Sequence, residues 1–486
     1  MQQDTPVVRT RAGLVAGVRE QSYCAFRGIP YAVSPTGRLW LREPEREPEW
    51  EGVRPAQAWG ATAPQRKQRV QIIPELLVPG PDYLNVNVFT PDLAASSLPV
   101  LVWIHGGAFI MGTPGNPWYN PAAFTEAGIV FVSITYRLGF EGLLPIPGYP
   151  ANRSVRDWLA ALTWVQECIG AFGGDPGNVT LAGQSAGSEA CLTLLSMPRA
   201  HGLFQRVIAM SGSLSIGTEI ADADELARKA AAALKMPLDQ LGSVAPRTLL
   251  DIQPKIVGLL GTPGRRSLVS QLGQKPAYLR PSVDGDLIPD LPFDAVADGA
   301  GSDVELLIGC TAQEANFVSR IFARWLGADA LRRGLGNLGW GPDEIDAYLA
   351  LHRGSARREI LGQAITDRSF RMPVMRLATA RREAAAATYC YQFDWQSPAF
   401  LGVFGAVHGL DLLFAFNNLA VGRKGRLHKT APDELAVTMH HAWADFVLTG
   451  DPGWPNYRPP SRPVMLFDTA CTVANDLAFS EPSLFE

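Results

Sequence analysis

Nearly continuous apolar runs recur along the chain from residue 98 onward. Five of them stand out, at residues 98–104, 129–134, 179–182, 207–210 and 304–308. Such runs, bounded by glycine, proline or polar residues, are typical of parallel strands that are buried on both faces. Between them, apolar residues recur roughly every 3.6 positions, as in 158–169 and 436–447, which predicts helices. This alternation predicts an α/β fold with a central, mostly parallel sheet and helices on both faces.

Three other segments have different patterns. Residues 7–35 alternate between polar and apolar side chains, which predicts short antiparallel strands near the N-terminus. Residues 219–275 and 323–365 are polar-faced, helical in pattern and poor in strand signals, so we expect helical cap insertions that cover a site at one end of the sheet. No glycine- and serine-rich linker separates these segments, and the sequence therefore predicts a single domain over residues 1–486.

The composition argues against several classes of protein. Lys and Arg total 43 against 47 Asp and Glu, a net charge of −4, so no basic excess is present to bind nucleic acid. No apolar run approaches the roughly 18 residues of a membrane-spanning helix, and the N-terminal residues lack a leader pattern. The six cysteines are scattered without a C-x-x-C pair, which is typical of proteins in reducing compartments. We expect a cytoplasmic protein with no nucleic acid or membrane partner, and an oligomeric state that stays open, a monomer included.

The clearest candidate for chemistry is Gly-Gln-Ser-Ala-Gly at residues 183–187, which follows the run 179–182 and precedes a helical pattern. A serine in G-x-S-x-G at a strand-to-helix junction is the arrangement of a nucleophile elbow. The tight turn needs glycine on both sides, and it places the hydroxyl at a helix N-terminus, where free N–H groups favour negative charge. The alternative is a small-residue turn with no chemistry. The flanking strand and helix favour the elbow, with Ser185 as the nucleophile.

Two glycines after another predicted strand could hold a developing negative charge. His105, Gly106 and Gly107 follow the run 98–104, and N–H groups in such a loop can turn into a cavity. Together with the N–H of Ala186 they would form an oxyanion hole. One such donor commonly contributes about 3 kcal/mol to transition-state stabilisation. His105 itself is interpreted as a residue that orients the loop.

In addition to these motifs, segments along nearly the whole chain resemble the type-B carboxylesterase (cholinesterase-like) family of the α/β-hydrolase fold, and its bacterial para-nitrobenzyl-esterase-like members in particular. They lie at residues 26–32, 84–91, 136–139, 172–180, 281–285 and 445–452. The resemblance implies that the chain has the α/β-hydrolase fold. It also implies a serine hydrolase that cleaves carboxylic esters of small molecules through a covalent acyl-enzyme, without a cofactor.

The same resemblance implies a triad in which Glu314 is the acid and His408 the base that serves Ser185. The sequence pattern agrees with this. Glu314 follows the run 304–308, at a strand end where parallel sheets place their sites, and His408 lies in a glycine-rich loop. The simple alternatives are an exposed loop glutamate and a loop histidine held by structural partners. Asp411 is a second candidate acid, although it stands only three residues from His408.

The chain departs from the family pattern at positions that bear on the site. The residue before the nucleophile is usually glutamate in this family, and here it is Gln184. Loss of that charge predicts a pKa for His408 at or below the usual value near 6.5. Ala63 and Tyr83 stand where the family has the cysteines of an early disulfide, in agreement with a reducing compartment.

Cofactor motifs are not indicated. Residues 334–339 match G-x-G-x-x-G, but they follow a helical, arginine-containing stretch rather than a strand, so we expect no dinucleotide site. The sequence has no Walker motif, no H-E-x-x-H and no ligand-spaced cluster of cysteine and histidine. We therefore predict no metal and no other cofactor.

Aromatic residues near the motifs predict the walls of a substrate pocket. Phe109, Trp118, Phe317 and Phe404 lie close in sequence to the oxyanion loop, the acid or the base. Pockets are mostly apolar walls around a few polar groups, although each of these residues could equally belong to the core. We expect small, water-soluble esters with short acyl chains or aryl groups. The alternatives are hydrolysis of amides or carbamates by the same triad and a catalytically silent binding module, against which the presence of Ser185 argues.

Overall fold

The computed structural model describes residues 5–67, 75–212, 219–257, 279–316 and 326–476. The strands in these ranges are β1 (Val7–Arg9), β2 (Leu14–Ala16), β3 (Val18–Arg19), β4 (Cys24–Pro30), β5 (Val53–Pro55), β6 (Asn85–Thr90), β7 (Leu98–Ile104), β8 (Val130–Ile134), β9 (Gly174–Gln184), β10 (Arg206–Met210), β11 (Glu305–Thr311), β12 (Thr388–Phe393), β13 (Pro463–Phe467) and β14 (Thr472–Asn475). The regular α-helices are α1 (Ala122–Glu126), α2 (Gly139–Leu143), α3 (Arg153–Cys168), α4 (Ala186–Ser196), α5 (Ile220–Leu234), α6 (Pro246–Ile256), α7 (Pro292–Ala297), α8 (Ala328–Asn337), α9 (Pro342–Leu351), α10 (Arg357–Thr366), α11 (Met372–Ala380), α12 (Leu412–Ala415), α13 (Leu419–Gly422) and α14 (Asp433–Thr449).

Most of these strands form one large sheet in the order β14-β13-β12-β11-β10-β9-β7-β8-β6-β4-β3. All neighbours from β13 to β8 in this order are parallel. The strands β6, β4 and β3 at one edge, and β14 at the other, pair antiparallel. Each of the five apolar runs lies on a parallel strand, and the predicted α/β fold with a mostly parallel sheet is confirmed.

The N-terminal strands are antiparallel as predicted. β1 pairs with β2, with Val7 opposite Ala16, and β3 pairs with β4. β5 joins β2 in parallel, and these three strands form a small second sheet beside the large one. The alternating pattern of this part of the chain therefore predicted its hairpins.

The core consists of two apolar layers, one on each face of the large sheet. Successive side chains of β7 alternate between them: Val100 and Val102 pack in one layer, and Leu101 and Trp103 in the other. Helices α3 and α4 contribute to the first layer and α14 to the second. Burying a valine- or leucine-sized side chain contributes about 1.5–3 kcal/mol, so both layers hold the sheet firmly in place. The expected helices on both faces are thus present.

Helices also occupy the described parts of the two predicted insertions. α5 and α6 lie within residues 219–275, α8 and α9 lie within 323–365, and α10 begins in that second range and ends one residue beyond it. Residues 258–278 and 323–325 are outside the described ranges. The second group of helices has an apolar cluster of its own, which includes Trp340 and Tyr348. The single domain and the covering role of the insertions remain predictions.

Two further observations concern the composition. All six cysteines are free, and five of them are buried. Tyr83, one of the two residues that the resemblance places at cysteine positions, donates its hydroxyl hydrogen to Glu141. In the ranges that the structure describes, no helix is long and apolar enough to cross a membrane.

Candidate active site

Ser185 stands at the sharp turn between β9 and α4, with φ 57° and ψ −125°. Such a conformation costs about 1–3 kcal/mol for a residue with a side chain and persists only where the surroundings enforce it. The flanking glycines permit the turn. A β-carbon at Gly183 would overlap the backbone of Gly187, and one at Gly187 would overlap the carbonyl oxygen of Ile104. The structure thus has the strand–turn–helix geometry predicted for the nucleophile elbow.

Glu314 lies just beyond the end of β11 and is buried. Its Oε1 accepts a hydrogen bond from the Ser211 hydroxyl at 2.6 Å and another from the Thr311 backbone N–H at 2.7 Å. Its Oε2 contacts Nδ1 of His408. The carboxylate is therefore fixed by two donors and directed at the imidazole. Ser211 was not predicted, because a serine after a buried strand has no distinctive sequence pattern.

His408 is held on both sides of its ring. Nδ1 faces Glu314, and Nε2 lies 3.1 Å from the side-chain nitrogen of Gln184. The imidazole is partly exposed, at 32%, and the ring of Phe370 lies 5.3 Å from it. In the part of the chain that the structure describes, no hydrogen bond joins the Ser185 hydroxyl to His408. Catalytic hydrogen bonds are often long before substrate binds, so the absence of this hydrogen bond does not argue against Ser185 and His408 as a pair.

The pKa of His408 has a direction opposite to the one expected from the sequence. Burial by itself lowers the pKa of an imidazole, but the charge of Glu314 and its hydrogen bond outweigh burial. Asp411 and Glu189 act in the same direction as Glu314, and the pKa of His408 is raised above its ordinary value. The expectation of a pKa at or below 6.5 was wrong, because it considered the charge missing at Gln184 and not the carboxylate in direct contact.

Asp411, the second candidate acid, has a different environment. It is fully buried, and its Oδ2 accepts a hydrogen bond from the Tyr391 hydroxyl at 3.2 Å. Burial, together with the negative charge of Glu314, raises the pKa of Asp411 to about 7. Among the described residues, no hydrogen bond joins its side chain to His408. Of the two acids, it is Glu314 that contacts the imidazole.

The predicted oxyanion loop lies directly against the elbow. A β-carbon at Gly106 would be 2.6 Å from the carbonyl oxygen of Gln184 and 3.3 Å from Cβ of Ser185. Gly106 is buried and its backbone interacts with the hydroxyl of Tyr119. The next two residues are more open, since Gly107 is half-buried and Ala108 exposed. Ala108 has φ 53°, a strained value that no sequence pattern indicates.

The other end of this loop is fixed by His105. The side chain is buried, its Nδ1 lies 2.8 Å from the Gly106 carbonyl oxygen, and its ring stacks on Tyr136. Burial lowers the pKa of His105 to about 4. A neutral, stacked imidazole fits the interpretation of His105 as a residue that orients the loop.

The four predicted pocket residues have different surroundings. Phe109 is 1% exposed and its ring lies 5.8 Å from Trp158, as expected of a core residue. Trp118 is buried edge-on against His428, while Phe404 borders the half-exposed ring of Phe400. The fourth, Phe317, lies outside the described residues. Among the described residues, the aromatic ring next to the imidazole is that of Phe370, which lies 38 residues before His408 and was not predicted.

The structure does not support a dinucleotide site at the G-x-G-x-x-G match. The G-x-G-x-x-G match at residues 334–339 begins inside helix α8 rather than after a strand. In the described ranges, no group of three or more histidine, cysteine, aspartate or glutamate side chains could hold a metal ion.

Comparison with known proteins gives a consistent result along the chain. The model of the carboxylesterase family matches residues 4–480. A para-nitrobenzyl esterase of Bacillus subtilis (strain 168) is 33% identical over 491 residues, which cover 97% of this chain and 96% of that protein. A phenmedipham hydrolase of Pseudarthrobacter oxydans is 33% identical over 493 residues, which cover 97% of each. Among solved structures, a thermophilic PNB esterase superposes with a TM-score of 0.86 at 32% identity, over 99% of this chain and 100% of that one.

Proposed function

The chain belongs to the carboxylesterase family and hydrolyses carboxylic esters, and we propose that it does so with Ser185 as nucleophile, His408 as general base and Glu314 as the acid that orients the imidazole. The observation that carries this proposal is the run of contacts from Ser211 and Thr311 through Glu314 to Nδ1 of His408. Because Nδ1 of His408 faces Glu314, Nε2 lies on the side of the elbow, where a proton acceptor is needed.

In the proposed acylation, the Ser185 oxygen forms a bond to the ester carbonyl carbon while its proton passes to Nε2 of His408. The carbonyl π electrons move to the oxygen, which becomes an oxyanion. When this intermediate collapses, the bond to the leaving alkoxide breaks, and Nε2–H of His408 gives that alkoxide its proton. Glu314 stays ionised throughout and stabilises the imidazolium.

Deacylation repeats the same steps with water. Nε2 of His408 takes a proton from water, the hydroxide oxygen bonds to the acyl carbon, and the bond to Ser185 breaks as its oxygen recovers the proton. The products are the carboxylic acid and the free enzyme.

For the oxyanion we propose the backbone N–H groups of Gly106, Gly107 and Ala186, with Ala108 as a further donor. The close approach of the Gly106 backbone to Cβ of Ser185 supports this location. The backbone of Gly106 already interacts with the Tyr119 hydroxyl, whereas Gly107 and Ala108 are more exposed. These observations favour Gly107 and Ala108 as the donors that face the substrate. Ala186 begins helix α4, whose N-terminus favours negative charge.

The raised pKa of His408 leads to a pH prediction. Only the neutral imidazole can accept the serine proton, so kcat/KM is lost as the pH falls through the pKa of His408 in the free enzyme. Because that pKa is above the ordinary value near 6.5, we expect the acid limb above pH 6.5. Initial rates with an ester that has no titratable group measure the limb, and a limb at or below 6.5 would contradict the proposed environment of His408.

We propose small, water-soluble esters with short acyl chains or aryl groups as substrates. The aromatic rings of Phe370 and Phe404 near the histidine loop support apolar walls close to the reacting atoms. A p-nitrophenyl ester series from acetate to palmitate is expected to give its highest kcat/KM at the short end. A maximum at about twelve carbons or longer, or a rate jump where the ester passes its solubility limit, would overturn this substrate class.

Hydrolysis of amides or carbamates by the same residues is the second candidate. One relative is named for para-nitrobenzyl esters and another for phenmedipham, and each is 33% identical to this chain, so identity at this level does not single out one of the two substrates. A p-nitroanilide and a p-nitrophenyl carbamate with the acyl group of the best ester complete the series as matched controls. Faster turnover of either one than of the ester would favour the second candidate.

We also propose that the protein works in a reducing compartment such as the cytoplasm, as a catalyst without cofactor. The six free cysteines support this location, since none of them is committed to a disulfide that reduction would break.

A further inference from the structure

Gln184 occupies a special place beside the proposed base. It is the last residue of β9, directly before the nucleophile, and it is 3% exposed. Its side-chain nitrogen lies 3.1 Å from Nε2 of His408, the ring nitrogen that must accept the proton of Ser185. A polar group this close to the accepting nitrogen bears on the proton transfer itself.

The surroundings fix the amide between two glycines. A β-carbon at Gly106 would lie 3.2 Å from Oε1 of Gln184, and one at Gly409 would lie 3.6 Å from its Nε2. The amide is thus packed between the oxyanion loop and the histidine loop, with its oxygen toward the first and its nitrogen toward the second. Because Nδ1–H of neutral His408 is directed at Glu314, Nε2 carries a lone pair, and the Gln184 N–H can donate to it.

We propose that Gln184 is a positioning residue, whose side-chain N–H occupies the lone pair of His408 Nε2 in the free enzyme and gives way to the Ser185 hydroxyl when substrate binds. The proposal rests on the proposed function, in which Nε2 is the base. It explains why the structure shows an amide hydrogen bond at Nε2 while the serine hydroxyl makes none to that nitrogen among the described residues.

The hydrogen bond has a definite electrostatic sign. A donor to the neutral imidazole stabilises the neutral form and so lowers the pKa, against the effect of Glu314. The other groups that act on His408 are Asp411, which is buried beside Tyr391, and Glu189 on α4, which is paired with Arg280 at 3.7 Å. All three acids favour the charged imidazolium, whereas burial and a hydrogen bond from the Gln184 amide favour the neutral ring.

The test uses two substitutions at one position and one matched control. Gln184→Met removes the donor at similar length, and Gln184→Glu replaces it with a carboxylate of the same chain length. Gln205→Glu adds the same charge beside the middle of β9, where Gln205 Oε1 accepts a hydrogen bond from the N–H of Val179, five residues before Gln184. Val179 is about 16 Å from Gln184 along the strand, which exceeds the screening length of roughly 10 Å at ordinary salt concentrations.

We expect the acid limb of kcat/KM to rise by about half a unit in Gln184→Met, because a hydrogen bond to the neutral form is lost. In Gln184→Glu it should rise by about one unit or more, because an opposite charge then faces the imidazolium. In Gln184→Met the limb of kcat should move less than that of kcat/KM, since the hydrogen bond is already released in the substrate complex. Gln205→Glu should leave both limbs unchanged. A purely structural role would alter rates or stability without this pattern.

A readout that does not depend on hydrolysis separates this proposal from the proposed function. The far-downfield proton resonance of His408 Nδ1–H, assigned by its loss in His408→Ala, reports the titration of the ring directly. If it shifts as predicted while activity follows another group, the base assignment fails and the Gln184 contact stands. The proposal is overturned if the pKa from the acid limb and the pKa from the resonance both stay within about 0.2 unit of wild type in the two Gln184 variants. It is also overturned if these pKa values fall in Gln184→Met, because that result would mean that the amide oxygen faces the ring.

Discussion

Ser185→Ala is expected to reduce kcat/KM for a short p-nitrophenyl ester by about 10⁴- to 10⁶-fold while the protein stays folded. The hydroxyl contributes the reacting oxygen, and no described residue depends on it for a hydrogen bond. Alanine meets the same backbone strain at φ 57° that serine does, so the elbow should keep its shape. Activity assays, circular dichroism and labelling by a fluorophosphonate measure the outcome.

Ser196→Ala is the matched control, because Ser196 lies at the other end of α4 and, among the described residues, its hydroxyl donates only to the Thr193 carbonyl oxygen of the same helix. We expect its activity within about twofold of wild type. If Ser185→Ala, folded by circular dichroism, kept more than a few per cent of activity or still bound the fluorophosphonate, Ser185 would not be the nucleophile.

Glu314→Gln should lower kcat by about 10³- to 10⁴-fold, and Asp411→Asn by less than about tenfold. The amide at 314 cannot stabilise the imidazolium, and its NH₂ group can turn Nδ1 of His408 into an acceptor, which is the wrong tautomer. Asp411, by contrast, has a pKa of about 7, so the neutral acid is already populated near neutrality and asparagine resembles it.

Parallel measurements of kcat, KM and thermal unfolding on the two variants check this ranking. The unfolding curves show whether either loss comes from misfolding. A larger loss of kcat in Asp411→Asn than in Glu314→Gln, with both variants folded, would assign the acid role to Asp411.

The parts of the molecule that the sequence could predict are those with local causes. The run at residues 98–104 is apolar because β7 is covered on both faces, and the glycines at 183 and 187 mark the elbow because only glycine fits there. Glu314 and His408 are 94 positions apart, and their pairing came from the family resemblance and not from local pattern.

What the sequence could not indicate arises from contacts between distant segments. Ser211 is an ordinary serine until β10 brings it to the Glu314 carboxylate. The prediction for the pKa of His408 was wrong for the same reason, because the shift of that pKa depends on how closely Glu314 approaches the ring. Phe109 lies next to the oxyanion glycines in sequence, yet its side chain turns into the core against Trp158.

The separation of the catalytic groups along the chain has a consequence for how the enzyme matures. Gln184 and His408 meet across 224 positions. The parallel strands that carry the site also pair across long separations, 99 positions between Arg206 and Glu305 and 82 between Leu306 and Thr388. Contacts of this range form late, because the entropy of closing long loops is lost before the contact energy is gained. Helices such as α3 can form from neighbouring residues much earlier. During refolding, hydrolytic activity should therefore return only after most of the helical signal, so that a partly folded chain is already compact but not yet an enzyme.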